Sequence, residues 1–228
     1  EAADAEYHIG KKGSNHFQIV KNSYGVSKSS KNDSREGLTK QKTYAMIKQR
    51  KDINHLLLNN TQAVQRTATV AGETMGLAGV FSTDNTIDAK GASLSYKLIE
   101  DALELTAKKG INMNTAFIGA LQKRTLNGLL RDVERGVVGE SSLIGHNYHK
   151  ITNLQNSTSE IDIKLERMCK DNELIFCDMS LLKLVLWREE ERELPTTKDA
   201  LLYEIITEFG LFWANPMAAV KITNLKTS

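Results

Sequence analysis

Residues 158–213 constrain the fold of this chain more than any other part of it. They run through an alternating stretch, an apolar stretch ending at an Asp, a Trp-Arg pair, a Glu-Leu turn and a long apolar final run. Ile161, Ile163 and Leu165 alternate with Asp162, Lys164 and Glu166. Successive side chains of a strand point to opposite faces, so this pattern predicts a half-buried strand. Residues 174–177, Leu-Ile-Phe-Cys, are apolar throughout and predict a buried strand. Residues 199–213 fit two templates. Leu201, Leu202, Ile205, Ile206 and Phe209 make a helix face, with Thr197 as cap and Gly210 as stop. Leu201, Tyr203, Ile205, Thr207, Phe209, Leu211 and Trp213 make one face of a strand. Aromatic and β-branched enrichment leans towards strand, but periodicity alone leaves the choice open.

The earlier part of the chain is more helical in pattern. From Leu38 to about Arg66 there is no Gly or Pro, and Met46, Ile53, Leu57 and Val64 fall on one face of a long helix. Before it, Phe17, Ile19 and Lys21, followed by Tyr24 and Val26, predict one extended strand in a loop rich in Gly, Ser, Lys and Asn. Such a strand has no partner nearby in sequence, and its edge would seek one. Ser93 or Ser95 caps a second helix running to Lys109, with Leu98, Ala102 and Leu105 inward and Gly110 at the left-handed C-terminal position. Residues 115–118 predict a short strand, and residues 120–131 a third helix on Leu121, Leu126, Leu129 and Leu130. Residues 134–159 are rich in Gly, Ser and Asn and read as loops.

Composition excludes some classes. The chain has 228 residues, 40% of them hydrophobic, which suffices for a sizeable core. No apolar run approaches the roughly 20 residues that cross a bilayer, and the start shows no signal-peptide pattern. Cys169 and Cys177 read as buried thiols. Net charge is +2, unevenly spread: residues 11–51 hold eleven Lys and Arg against Asp33 and Glu36, a net of +9. That segment mixes its cations with His16, Phe17, Tyr24 and Tyr44, which suits phosphate contact and base stacking. It carries no zinc-finger, RNA-recognition or helix-turn-helix spacing.

No constellation for catalysis emerges. His146 and His149 form an H-x-x-H pair with no further ligands at metal-site spacing. Gly72, Gly76 and Gly79 lack the Lys and Ser/Thr of a phosphate-binding loop and read as a turn-forming linker. Glu189, Glu190, Glu191 and Glu193 sit in a polar run and read as a solvated face rather than as a paired acid and base. The expectation is no catalytic, metal or cofactor site. Trp187 and residues 201–213 are expected to be core or inter-strand packing.

The collinear order of these segments resembles a tailed-phage or prophage major capsid protein with the Hong Kong 97-like fold. Glu1-Ala-Ala-Asp-Ala, Asn15-His-Phe-Gln-Ile-Val and Val26-Ser-Lys-Ser resemble that family's extended loop. Lys51-Asp52-Ile-Asn-His-Leu-Leu-Leu-Asn-Asn60 is similar to the end of its long spine helix, an Asp-x-Glu-x-x-Leu-Leu-x-Asn pattern in which Asn54 here replaces the acid. Gly76-Leu-Ala-Gly79 resembles the loop that follows. Phe117-Ile-Gly-Ala-Leu-Gln-Lys-Arg124 resembles the strand and helix that carry Ser-Pro-x-Leu-Lys-Arg in relatives, without the Ser-Pro. Residues 161–168 and 193–213 complete the match.

The resemblance implies an α+β chain in three parts. Residues 1–36 would be an extended-loop remnant, residues 37–66 and 188–215 a peripheral domain, and residues 67–187 and 216–228 an axial domain. It turns the 199–213 choice to strand. It implies hexamers and pentamers of an icosahedral shell enclosing DNA without sequence specificity, scaffolding and portal partners, no membrane, and residence in the host cytoplasm before the virion capsid. The family's N-terminal arm is absent from this sequence. Subunit contacts are expected between a loop patch (Lys11, Lys12, Phe17, Ile19, Lys21, Tyr24) and a neighbour's peripheral-domain patch (Glu189, Glu190, Glu191, Glu193). The other reading kept open is a basic nucleic-acid-binding module.

Overall fold

A computed structural model describes residues 13–31, 37–81, 83–134, 150–152, 160–215 and 219–227. The described chain forms two sheets with helices against them. The members of the larger sheet are β2 (Thr86–Asp88), β3 (Thr115–Ile118), β4 (Lys150–Thr152), β5 (Glu160–Leu165), β6 (Leu174–Cys177) and β9 (Ala219–Thr223). They lie in the order β2-β9-β6-β3-β5-β4, so the sheet has its most buried strands, β3 and β6, at its centre. All four residues of β6 are buried, as a central strand covered on both faces requires.

β9 comes from the end of the described chain and inserts between β2, parallel to it, and β6, antiparallel. Helices α3 (Tyr96–Ala107) and α4 (Ala120–Glu134) supply the rest of this core. Ile99, Ala102, Leu103 and Leu126 meet Ala116, Ile118, Ile161, Phe176, Val220 and Ile222, every one at most 3% exposed. Ser95 is the N-cap of α3, its Oγ accepting from the Leu98 N–H at 3.4 Å. Gly110 takes φ +75° two residues beyond the C-cap, where a Cβ would be strained.

The second sheet has three strands: β1 (Gln18–Ser27), β8 (Ala200–Trp213) and β7 (Leu182–Leu194), in the order β1-β8-β7. The partner that β1 lacks in nearby sequence is β8, across a full antiparallel register from Gln18–Phe209 to Ser27–Ala200. Residues 200–213 are thus one strand, buried on both faces from Ile205 to Thr207 and from Phe209 to Leu211. Being central explains why its pattern fits helix and strand templates equally: both faces are apolar, so the period of two is masked.

The long helix α1 (Leu38–Asn59) lies against β1 and β8. Two expectations about it need correction. It stops at Asn60 rather than near Arg66, because Asn60 turns extended and is held by the 73–76 segment. The Asn60 side chain donates to Thr74 O at 2.6 Å, and Gly76 N donates to Asn60 O at 3.0 Å. Val64 and Glu73 then pair through two 3.0 Å bonds. The buried side is also rotated from the predicted one: Ala45, Gln49 and Leu58 point inward, while Met46 is 37% exposed. The sheet beneath is polar at this point. Gln49 accepts from Asn22 at 2.5 Å and donates to Val20 O at 2.9 Å and Thr207 Oγ1 at 3.1 Å, so a buried amide satisfies buried polar partners. Small Ala45 lets the helix close on Tyr24 and Ile205.

The glycines of the 72–79 loop serve close approach. A Cβ on Gly76 would collide with Leu56 O and lie 2.6 Å from Leu57 O; one on Gly72 would lie 2.7 Å from Phe17 O. Short helix α2 (Leu77–Val80) follows, with Leu77 packed beside Leu58, Leu182 and Leu211 where the two sheets meet.

Candidate functional site

The β7 strand is the most unusual surface of the molecule. Among the described residues it is an edge strand, paired only with β8, and all eleven residues from Lys183 to Glu193 are exposed. Four consecutive apolar side chains lie in it: Leu184 (47% exposed), Val185 (40%), Leu186 (54%) and Trp187 (72%). An edge strand leaves a row of backbone N–H and C=O groups open to pairing, and isolated proteins protect such edges with charge or cover. Here a single charge, Lys183, precedes the apolar residues, and the others begin only after them at Arg188.

A β-bulge decides which way those charges point. Leu186 opposes Phe209 and Arg188 opposes Glu208, so Trp187 is the inserted residue. The extra residue reverses the alternation. Leu184, Leu186 and Glu189 therefore share the face toward α1, where with Met46, Arg50, Ile53 and Ile205 they line an open groove of about 290 Å³ floored by Gln49 and Thr207. Glu191 lies further along the same face. It accepts from Lys42 Nζ at 2.5 Å and from the Tyr24 hydroxyl.

On the opposite face Arg192 holds Glu204 with two bonds of 2.7 and 2.9 Å. Arg188 reaches Glu190 at 3.3 Å and Glu208 at 3.5 Å. Ile206, paired with Glu190 between these ion pairs, is 1% exposed, a place where arginine stems serve as hydrophobic cover. Phe17 packs against the Trp187 ring at 5.5 Å and over Gly210.

The structure thus divides the residues singled out from sequence. Lys11 and Lys12 lie outside the described residues. Phe17 is 37% exposed, Ile19 half-buried and Lys21 exposed. Tyr24 is 7% exposed, stacked on Tyr203 at 5.5 Å. The four glutamates are not one patch. Glu191 is engaged by α1 and Tyr24, Glu190 by Arg188, and Glu189 borders the groove. Glu193 is exposed opposite Tyr203. The expectation of a packed Trp187 is corrected: the bulge turns it out of the sheet to 72% exposure. Missed altogether were Leu184 and Leu186, with Met46 and Ile53 across the groove. The apolar run stopping abruptly at Arg188 was their signal, but only the bulge assigns them a face.

Among the described residues no group of three or more His, Cys, Asp or Glu side chains could hold a metal ion; His146 and His149 lie outside those residues. Both cysteines are free and buried. Desolvation first, and neighbouring carboxylates second, push each thiol up to about 12, so they stay protonated at neutral pH and are poor nucleophiles. No helix among the described residues is long and apolar enough to cross a membrane.

A family model described as SU10 major capsid protein matches residues 1–226. No curated protein sequence matches. Solved structures are similar across nearly the whole chain. The SrpI encapsulin complex of Synechococcus elongatus PCC 7942 matches with a TM-score of 0.68 at 8% identity, over 93% of this chain and 75% of that one. A structure from Gordonia phage Cozz matches at 0.63 and 14% identity, over 100% and 79%. The cyanophage A-1(L) capsid asymmetric unit matches at 0.62 and 12% identity, over 91% and 77%.

Proposed function

Because this chain belongs to the SU10 major capsid protein family, we propose that its exposed β7 ribbon is the surface on which copies of the chain meet. The fold is the Hong Kong 97-like, α+β fold of phage capsids. The chain is a structural protein of a phage head shell, assembles with copies of itself, and has its place in the virion capsid. Our further reading is an icosahedral shell of hexamers and pentamers that encloses DNA, assembled in the host cytoplasm with scaffolding and portal proteins. In this reading α1 and the three-stranded sheet form the peripheral domain, the six-stranded sheet with α3 and α4 the axial one, and the subunit has no catalytic activity. The two protonated thiols are consistent with that last point.

The observation that carries the interface is the run of eleven exposed residues on an edge left unpaired among the described residues, with four consecutive apolar side chains, Leu184 to Trp187, in it. Apolar side chains left this exposed contribute little to a monomer, whereas large ones are the usual anchors between subunits. Trp187→Ala separates the two roles. Because Trp187 is 72% exposed, its loss leaves the folding stability of the isolated chain within about 0.5 kcal/mol. Shells counted by electron microscopy should fall by most of their number. Shells at the original yield would remove β7 from the interface.

The charged half of the ribbon sets register in this reading. Glu189 and Glu193 are exposed, as are Lys21 on β1 and Lys28 just after it, at the opposite edge of the same sheet; Lys28 also pairs with Asp199 at 3.2 Å. Exposed pairs contribute about 0–1 kcal/mol each, so their effect is on encounter rate rather than strength. Reversing Glu189, Glu190 and Glu193 to Lys should slow assembly at low salt, and adding Lys21→Glu with Lys28→Glu should partly restore it. Equal rates in all three proteins across a salt series would exclude the charge pairing.

A further inference from the structure

We propose that the outward face of α1 is a contact surface for the backbone of duplex DNA held inside the shell. This rests on the head-shell reading above and adds to it the face and the residues.

The helix is electrically one-sided. Its side toward the sheet takes up what counter-charge it has: Asp52 accepts from Asn22 at 3.1 Å, and Lys42 pairs with Glu191. At about 100° per residue, Lys40, Lys51 and Lys48 fall within about 80° on the far side, with Arg50 about 80° the other way. All four are exposed, and none is ion-paired among the described residues. Tyr44, 56% exposed, stands between Lys40 and Lys48 with its hydroxyl available to a phosphate oxygen. Residues 40–51 span about 17 Å at about 1.5 Å per residue. A duplex carries one negative charge per about 1.7 Å of axis, so that length faces several phosphates at once.

The acidic ribbon on β7 is a weaker fit for these cations. Glu190 and Glu191 already have partners, leaving Glu189 and Glu193. Lysines held on a rigid helix act as point charges and read no base edge, which matches a cargo taken without regard to sequence. Ile47, 46% exposed in the stripe, is the residue to which this gives no role.

The test is binding of the purified full chain to a mixed-sequence duplex of roughly 30 base pairs, from about 50 to 200 mM salt. With four cations engaged, log affinity should fall with log salt at a slope of about −3 to −4. Lys48→Glu with Lys51→Glu should lower affinity at least about tenfold at the low-salt end and flatten the slope by about 2. Lys164→Glu with Lys226→Glu changes net charge equally at exposed positions elsewhere and should have little effect. An unchanged slope in the α1 variant, or equal losses in both variants, would overturn the proposal. So would an α1 variant that binds DNA normally but forms no shells, since the stripe would then be a contact between copies. Stripe-dependent binding by a protein that forms no shells at all would support the DNA contact and count against the head-shell reading instead.

Discussion

Replacing Phe209 by Ala is expected to cost about 3–5 kcal/mol of folding stability, one of the two largest effects of a single side chain in this structure. Phe209 is 0% exposed in the middle of the central strand of the three-stranded sheet, opposite Gln18 on β1 and Leu186 on β7. Truncation removes a whole ring and leaves a void that neighbours paired on both sides are poorly placed to fill. Phe209→Leu keeps most of the volume and should cost about 1 kcal/mol. The adjacent residue gives the contrast that identifies a strand. Glu208 pairs with Arg188 at 3.5 Å, where the Arg188 side chain is 42% exposed, so Glu208→Ala should cost under about 1 kcal/mol. Urea unfolding of the three variants measures this. Similar costs at 208 and 209 would contradict the burial pattern.

The second large effect is expected at Asn15, through hydrogen bonds rather than packing. Its Nδ2 donates to Thr74 Oγ1 and Met75 O, both at 3.0 Å, and to Leu211 O at 2.7 Å. Its Oδ1 accepts from Met75 N at 2.7 Å and His16 N at 2.9 Å. Thr74, 0% exposed, also accepts from Leu211 N at 3.2 Å, while its own N–H donates to the Gln18 side chain at 3.2 Å. One amide therefore ties the chain before β1 to the loop after α1 and to β8, beside the junction of the two sheets. Asn15→Ala orphans the Met75 N–H and the Leu211 carbonyl; at about 1–3 kcal/mol for each unsatisfied group, the loss should be about 2–4 kcal/mol. Asn15→Asp keeps the shape but exchanges the donor for an anion facing two carbonyl oxygens. It should be at least as damaging as the alanine. An aspartate variant close to wild type in thermal unfolding would mean that shape, not donation, holds this junction.

The shell reading gains from the contrast between these sites and the ribbon. Phe209 and Asn15 stabilise the subunit from within. Leu184, Leu186 and Trp187 stand outside that network, which is why their loss should appear in assembly while unfolding stays unchanged.

Where a signal was local, the sequence alone was sufficient. Residues 115–118 and 174–177 are strands as read, because an apolar run of that length between polar turns has one economical use. Ser95 caps its helix and Gly110 follows it, because cap hydrogen bonds and a positive φ are properties of a few adjacent residues. The order of segments also carried the resemblance to capsid proteins, since order survives even where identity is as low as 8–16%. Tertiary structure decided what depends on a partner far along the chain. The rotation of α1 follows from Asn22 and Thr207, which made a buried Gln49 cheaper than a buried Met46. Its end at Asn60 follows from capture by residues 73–76. The bulge at Trp187 reversed the faces of every residue after it and split four adjacent glutamates among different neighbours. A side chain's face is fixed by the surface it meets, and no window of neighbouring residues contains that surface.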